Sequence, residues 1–152
     1  MNLEEDCFHL GVKTLIQNNH GKLLLLQLDP KKFKNESKWD IPGGRIKKNE
    51  SVENTLKREV YEETGLQNIT FLSPLTMVLS PFRLTTNTGN VGLILAVYLC
   101  QAPDPCPIQL SGEHVHFGWF SPKEAAEMLK MNHAPELIEK ITQIIPKHTL
   151  KN

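Results

Sequence analysis

Two apolar runs open the chain, residues 8–17 and 22–29, and the link between them, Asn18-Asn19-His20-Gly21, is made of residues that tolerate positive φ. The pair reads as a β-hairpin. Leu23 to Leu26 shows no polar alternation, which predicts a strand covered on both faces. A polar stretch follows from Asp29 to Lys38, then Trp39-Asp40-Ile41-Pro42-Gly43-Gly44, a short strand ending in a tight turn. The pattern then predicts a helix from Ser51 to Thr64 and strands at 69–79, 91–100 and 114–120, with the turn-forming residues Thr86 to Asn90 inside one hairpin. Ser121-Pro122-Lys123-Glu124 combines a capping serine, a proline at the first helical position and a glutamate three residues after the cap, which marks a helix start. A last amphipathic helix is expected from Pro135 to Ile145. With no internal repeat, low-complexity tract or linker, residues 1–152 are expected to form a single domain.

The helix over 51–64 carries an unusual charge arrangement. Projected at about 100° per residue with Glu59 as origin, Glu62 falls near −60° and Glu63 near +40°, so three carboxylates share one face. A solvated acidic face would lie opposite the apolar stripe. Here Leu56 falls near +60° and Val60 near +100°, beside Glu63, while Asn54, Lys57, Arg58 and Tyr61 take the opposite half. The acids therefore border the buried side, where unpaired charge is costly. They also crowd the last turns before Gly65, where carboxylates oppose the helix dipole and repel one another. A bound cation would relieve all three penalties, and clustered hard oxygen ligands suit Mg²⁺ or Mn²⁺, which bridge carboxylates to phosphates.

Composition narrows the partners. Seventeen basic and seventeen acidic residues cancel, so no global field favours nucleic acid or an anionic membrane; stable nucleic-acid binding is not expected, and an anionic substrate must be captured locally. The three cysteines, Cys7, Cys100 and Cys106, match neither a zinc knuckle nor a disulfide framework, and the acidic N-terminus lacks a signal-like apolar run. A cytoplasmic protein without membrane segments is expected. Oligomeric state stays open, a homodimer being one option.

Gly44 to Leu66 reads GRIKKNESVENTLKREVYEETGL, and it resembles the Nudix box at each defining position: Gly44, Glu50, Arg58, Glu59, Val60, Glu62, Glu63, Gly65 and Leu66. Nine specified positions in 23 residues make a specific signal. The resemblance implies an α/β fold (α+β), an α/β/α sandwich around a mixed sheet, and metal-dependent hydrolysis of a phosphoanhydride in a nucleoside diphosphate linked to a further group. It implies Glu59, Glu62 and Glu63 as metal ligands with the Gly43 carbonyl, and Arg58 as a brace pairing with a box glutamate; the alternative for Arg58 is a solvated helix arginine. The general base is open among Glu62, Glu59, Glu50 and Glu113.

Other candidates stand on position. Arg45, Phe82 and Arg83 are placed as substrate contacts, Phe82 and Arg83 because they follow Pro81. Lys31, Lys32, Lys34 and Lys38 around Phe33 could attract a phosphate tail, or form a solvated loop. His114 and His116 share a strand face but lack a third ligand, so ordinary strand positions are favoured, and Trp39 and Trp119 are expected in packing. Pro81, fifteen residues after Leu66, resembles a feature of the ADP-ribose pyrophosphatases of the family. The short chain equally resembles its nucleoside triphosphate pyrophosphatases, and a (d)NTP or modified nucleotide is ranked first. A non-catalytic nucleotide-sensing module is the alternative of another class; the intact acidic set argues against it.

Overall fold

The computed structural model describes residues 3–33 and 38–145. In chain order the elements are β1 (Phe8–Gln17), β2 (Leu23–Leu28), β3 (Trp39–Asp40), β4 (Gly43–Arg45), α1 (Val52–Thr64), β5 (Thr70–Leu79), β6 (Leu84–Thr86), β7 (Gly89–Gln101), β8 (His114–Phe120), α2 (Pro122–Leu129) and α3 (Pro135–Thr142). The sheet is mixed: β1 runs parallel to β7 over its whole length, and the remaining pairings are antiparallel.

The first hairpin differs from its expected form. Gly21 takes the left-handed turn conformation and Asn18 N–H bonds to the Lys22 carbonyl, but β1 and β2 pair only at Gln17 and Leu23 before they diverge. The segment 39–45 fills the opening, with β3 on Leu26 and Gln27 of β2 and β4 on Gly11 to Lys13 of β1. Between them, Thr14 N–H donates to the Pro42 carbonyl. Backbone groups exposed by the splay are thus satisfied by the segment that leads into α1.

Both sheet faces are covered, as the unbroken apolar run predicts. Leu24 and Leu26 join Val12, Ile16, Leu56, Val60 and Cys100 beneath α1, whereas Leu23 and Leu25 join Leu15, Val97, Ala125, Leu129, Leu137 and Ile141 beneath α2 and α3. Trp39 packs edge-on against Phe120 and Trp119 lies against the α1-side core, so both tryptophans serve packing. Helix α2 starts as the capping box indicates: Glu124 N–H donates to Ser121 Oγ, and the serine hydroxyl donates to the Glu124 carboxylate. Helix α3 ends at Thr142, three residues earlier than expected, with Ile144 still against the core. Strands β4 and β6 are three residues each, too short to show alternation in sequence. No helix among the described residues is long and apolar enough to cross a membrane.

Candidate active site

Helix α1 is fixed at both ends. Ser51 caps its start by accepting the Asn54 N–H, and Gly65, at φ 75°, returns its N–H to the Tyr61 carbonyl. The chain before β8 completes the C-terminal cap, because Gln109 and Ser111 donate to the Thr64 and Glu63 carbonyls. The carboxylates therefore sit on a rigid support, at the end where the helix dipole disfavours them.

Arg58 is the hub of the helix surface. Its Nε donates to Glu50 Oε2 at 2.6 Å, Nη1 to Glu59 Oε1 at 2.7 Å and to Glu62 Oε2 at 3.3 Å, and Nη2 to Glu50 Oε1 at 3.0 Å and the Arg45 carbonyl at 3.3 Å. On the helical projection Arg58 lies opposite Leu56 and Val60 but only about 40° from Glu62, its neighbour one turn on, so the guanidinium reaches along the acidic face. Glu50 is saturated: besides Arg58 it accepts from the Lys47 N–H and the Thr55 hydroxyl. Arg58, helped by those bonds, holds its carboxyl down at about 2.

The three box glutamates are graded in exposure rather than equally buried. The Glu62 side chain is 53% exposed, that of Glu59 15%, and Glu63 is buried. Glu62 lies on the side of Glu59 away from Leu56 and Val60, so it faces out; Glu63 lies beside them and faces in. Burial pushes Glu63 up to about 8, against the pull of Lys13; the charges of Glu59 and Asp40 push the same way as burial, and the Gly43 N–H, 3.4 Å from its Oε2, offsets part of the rise.

The turn before α1 is built around these acids. Gly43 stands at φ 148°, and a Cβ there would meet the Val12 carbonyl oxygen at 2.1 Å; at Gly44 a Cβ would lie 2.4 Å from the Glu59 carboxyl. Only glycine lets β4 pass so close to β1 while Glu59 rests on the turn. As the side chains stand, no three Asp, Glu, His or Cys groups among the described residues are gathered as metal ligands, since Arg58 draws Glu59 and Glu62 to itself. The donor chemistry nevertheless fits a hard divalent cation: buried and half-buried carboxylates, a glycine turn and a raised Glu63.

On the α2–α3 side of the sheet opens a cavity of about 270 Å³ lined by Phe33, Phe82, Leu28, Leu93 and Leu95, with Lys13, Lys38, Asp40, Ser80, Asn132 and His133 as its polar members. The Lys38 ammonium lies 5.6 Å from the Phe82 ring centre. Lys13 donates to Asp40 Oδ2 at 2.8 Å and to the Ile41 carbonyl at 3.2 Å, and His133 Nε2 lies 2.9 Å from Asp40 Oδ1. Burial works against both charges, yet Lys13 and His133 hold the Asp40 carboxyl well below the carboxylate range, and Asp40, Glu63 and Glu59 hold Lys13 above the ordinary lysine value. The same lysine thus feels both the cavity wall and the helix carboxylates.

The remaining candidates scatter. Phe82 lines the cavity, but Arg83 turns outward onto Asp6, with both Nη atoms within 2.9 Å of its carboxylate, and onto Asn90. Arg45 is exposed on β4 and does not line the cavity. Glu113 is exposed, its carbonyl held by the Asp29 N–H. His114 is buried against the Ser111 hydroxyl, which puts its imidazole below the usual range, and His116 is exposed. Of the lysine cluster, Lys38 lines the cavity, Lys32 bonds the Gly112 carbonyl, and Lys34 lies outside the described residues. All three cysteines are free thiols. Lys13, Asp40, Asn132 and His133 were not legible as site residues in the sequence; the available signal was a lysine in the middle of the largely apolar β1.

Relatives accord with this architecture. The chain is 26% identical over 130 residues to a MutT-like protein of Streptomyces ambofaciens, covering 86% of this chain and 75% of that one. A shorter stretch of 33 residues is 48% identical to an 8-oxo-dGTP diphosphatase of Buchnera aphidicola, covering 22% of this chain and 25% of that protein. In three dimensions the fold superimposes on the MutT protein of Methanosarcina mazei with a TM-score of 0.70 at 28% identity, covering 98% of this chain and all of that one. Residues 8–141 match the family model for the NUDIX domain, and the chain belongs to the Nudix hydrolase family.

Proposed function

We propose that the protein is a pyrophosphohydrolase that cuts a phosphoanhydride bond of a nucleotide with a divalent metal, Mg²⁺ or Mn²⁺, and that a (d)NTP or modified nucleotide is its substrate. The observation that carries this reading is the surplus of carboxylate on α1, whose field reaches Lys13 in the wall of a part-aromatic cavity. Glu59, Glu62 and Glu63, with the Gly43 carbonyl, would hold the cation; the chemistry it supplies when bound is acidification of water and neutralisation of phosphoryl charge. Arg58 orients Glu59 and Glu62 from behind, and Glu50 locks Arg58 in place. With its oxygens taken and its carboxyl held near 2, Glu50 is a brace rather than a base. Glu62 is the outermost box carboxylate, bonded to Arg58 at 3.3 Å, and we assign it proton removal from the attacking water.

The cavity fits the nucleoside end. Its volume is just under the range of about 300–1,000 Å³ typical of drug-sized ligand pockets, and Phe33 and Phe82 offer ring surfaces beside the donors and acceptors of Asn132 and Asp40. The local likeness to an 8-oxo-dGTP diphosphatase supports a triphosphate. ADP-ribose is the second reading, because Pro81 stands between Ser80 and Phe82, both on the cavity wall. The test is product release from a panel of nucleoside triphosphates and ADP-ribose with Mg²⁺, repeated with Glu59→Gln and Glu62→Gln. Turnover is expected from the native protein and lost in both variants; equal rates in all three proteins, or none on any substrate, would reject the reading.

A further inference from the structure

The polar wall of the cavity is more elaborate than a binding surface requires. Asp40 accepts three hydrogen bonds: from Lys13 Nζ, from His133 Nε2, and from the Ile41 N–H at 2.7 Å. Lys13 donates additionally to the Ile41 carbonyl, and Asn132 Nδ2 to the Trp39 carbonyl at 3.3 Å. Four bonds from outside therefore converge on Trp39, Asp40 and Ile41, the residues that lead into the turn at Gly43 and Gly44. They arrive from two directions, β1 on one side and the link between α2 and α3 on the other. Lys13 is also the strand partner of Gly43.

Stability alone explains this poorly. A buried ion pair contributes little compared with apolar side chains of similar volume, and His133 Nδ1 is buried without a partner. All four side chains that make these bonds, Lys13, Asp40, Asn132 and His133, also line the cavity. An occupant of the cavity and the entry to the catalytic turn thus rest on one set of groups.

Building on the proposed nucleotide hydrolysis, we propose that His133 is a positioning residue which, acting through Asp40 and Lys13, keeps the cavity wall in register with the turn at Gly43–Gly44. The base held in the cavity then decides how the phosphoanhydride is presented to the α1 carboxylates. His133 touches no reacting atom; it converts the fit of the base into rate.

The experiment is steady-state hydrolysis of nucleoside triphosphates that differ only in the base, by the native chain and by His133→Leu and His133→Gln. In His133→Leu the ratio of kcat/KM between the best and worst base is expected to fall by about tenfold or more, through kcat of the preferred nucleotide. His133→Gln retains an N–H for Asp40 and should keep the ratio within about threefold of native. An unchanged ratio in His133→Leu, or the same loss for every base, overturns the proposal. Should His133→Leu fail to fold, Asp40→Asn, which keeps the shape and removes the charge, must show the same loss of discrimination, and a native ratio there overturns it. A native protein that turns over all bases equally refutes the positioning role alone; one that turns over none refutes the proposed function, and the positioning role with it.

Discussion

Along α1, the carboxylates of Glu50, Glu59 and Glu62 divide a single guanidinium, and Glu63 is met by a backbone amide and the field of Lys13. On the cavity wall a few residues away, one carboxylate, Asp40, is matched by Lys13 and His133. The first region is unbalanced, with Glu62 open to water, and the second is balanced and half-buried. Unmatched charge on a rigid support marks the place prepared for a ligand of opposite sign, whereas matched charge spends its bonds on fixing a shape. One fold holds both, joined by Lys13.

That contrast breaks most sharply at the helix. Glu62→Gln is expected to cost about 10²–10⁴-fold in kcat while leaving the melting temperature near native, as read by steady-state kinetics and thermal denaturation. Native turnover in this variant would remove Glu62 from the chemistry. On the balanced side the expected effect is on folding: Asp40→Ala leaves the largely buried Lys13 without its carboxylate partner, at a cost of up to about 3–5 kcal/mol in urea denaturation. Adding Lys13→Met should recover most of it, and a double variant as unstable as the single one would show that the pair is not the cause.

The imbalance also has a signature in pH. Glu63 ionises at about 8 in the folded protein against 4.5 for an ordinary glutamate. Between those values the folded state keeps a proton that the unfolded chain has released, so metal-free protein should lose stability as pH rises through this window. Mg²⁺ should restore the melting temperature at pH 8, and Glu63→Gln should flatten the pH dependence; a flat profile in the native chain would contradict the buried placement of Glu63. The smallest effect is expected at Gly44→Ala, whose methyl must displace the Glu59 carboxyl, costing about 1–3 kcal/mol and activity with it.

The unbalanced region was legible in the chain because it is local. The acids recur at helical spacing within one element, so a projection places Glu59, Glu62 and Glu63 together, and it even places Glu63 correctly against Leu56 and Val60. It also sets Arg58 about 40° from Glu62, one turn on, but says nothing of Glu50, which precedes the helix. The balanced region is assembled from Lys13, Asp40 and His133, up to 120 positions apart, and no periodicity links them. For the same reason the strands were readable from alternation and turn residues, whereas the splay of β1 from β2 was not: it is caused by a segment that arrives later in the chain.

The splay has a consequence for how such a molecule could be re-tasked. Residues 29–38 leave from β2 and return to β3 with both feet pinned, Leu28 N–H to the Lys38 carbonyl and Asp29 N–H to the Glu113 carbonyl. Among the described residues between those clamps, Phe33 lines the cavity and Lys32 bonds the Gly112 carbonyl. A replacement segment of different length or chemistry in this interval is expected to alter the Phe33 side of the cavity while the glycine turn and α1, which lie outside it, keep their geometry.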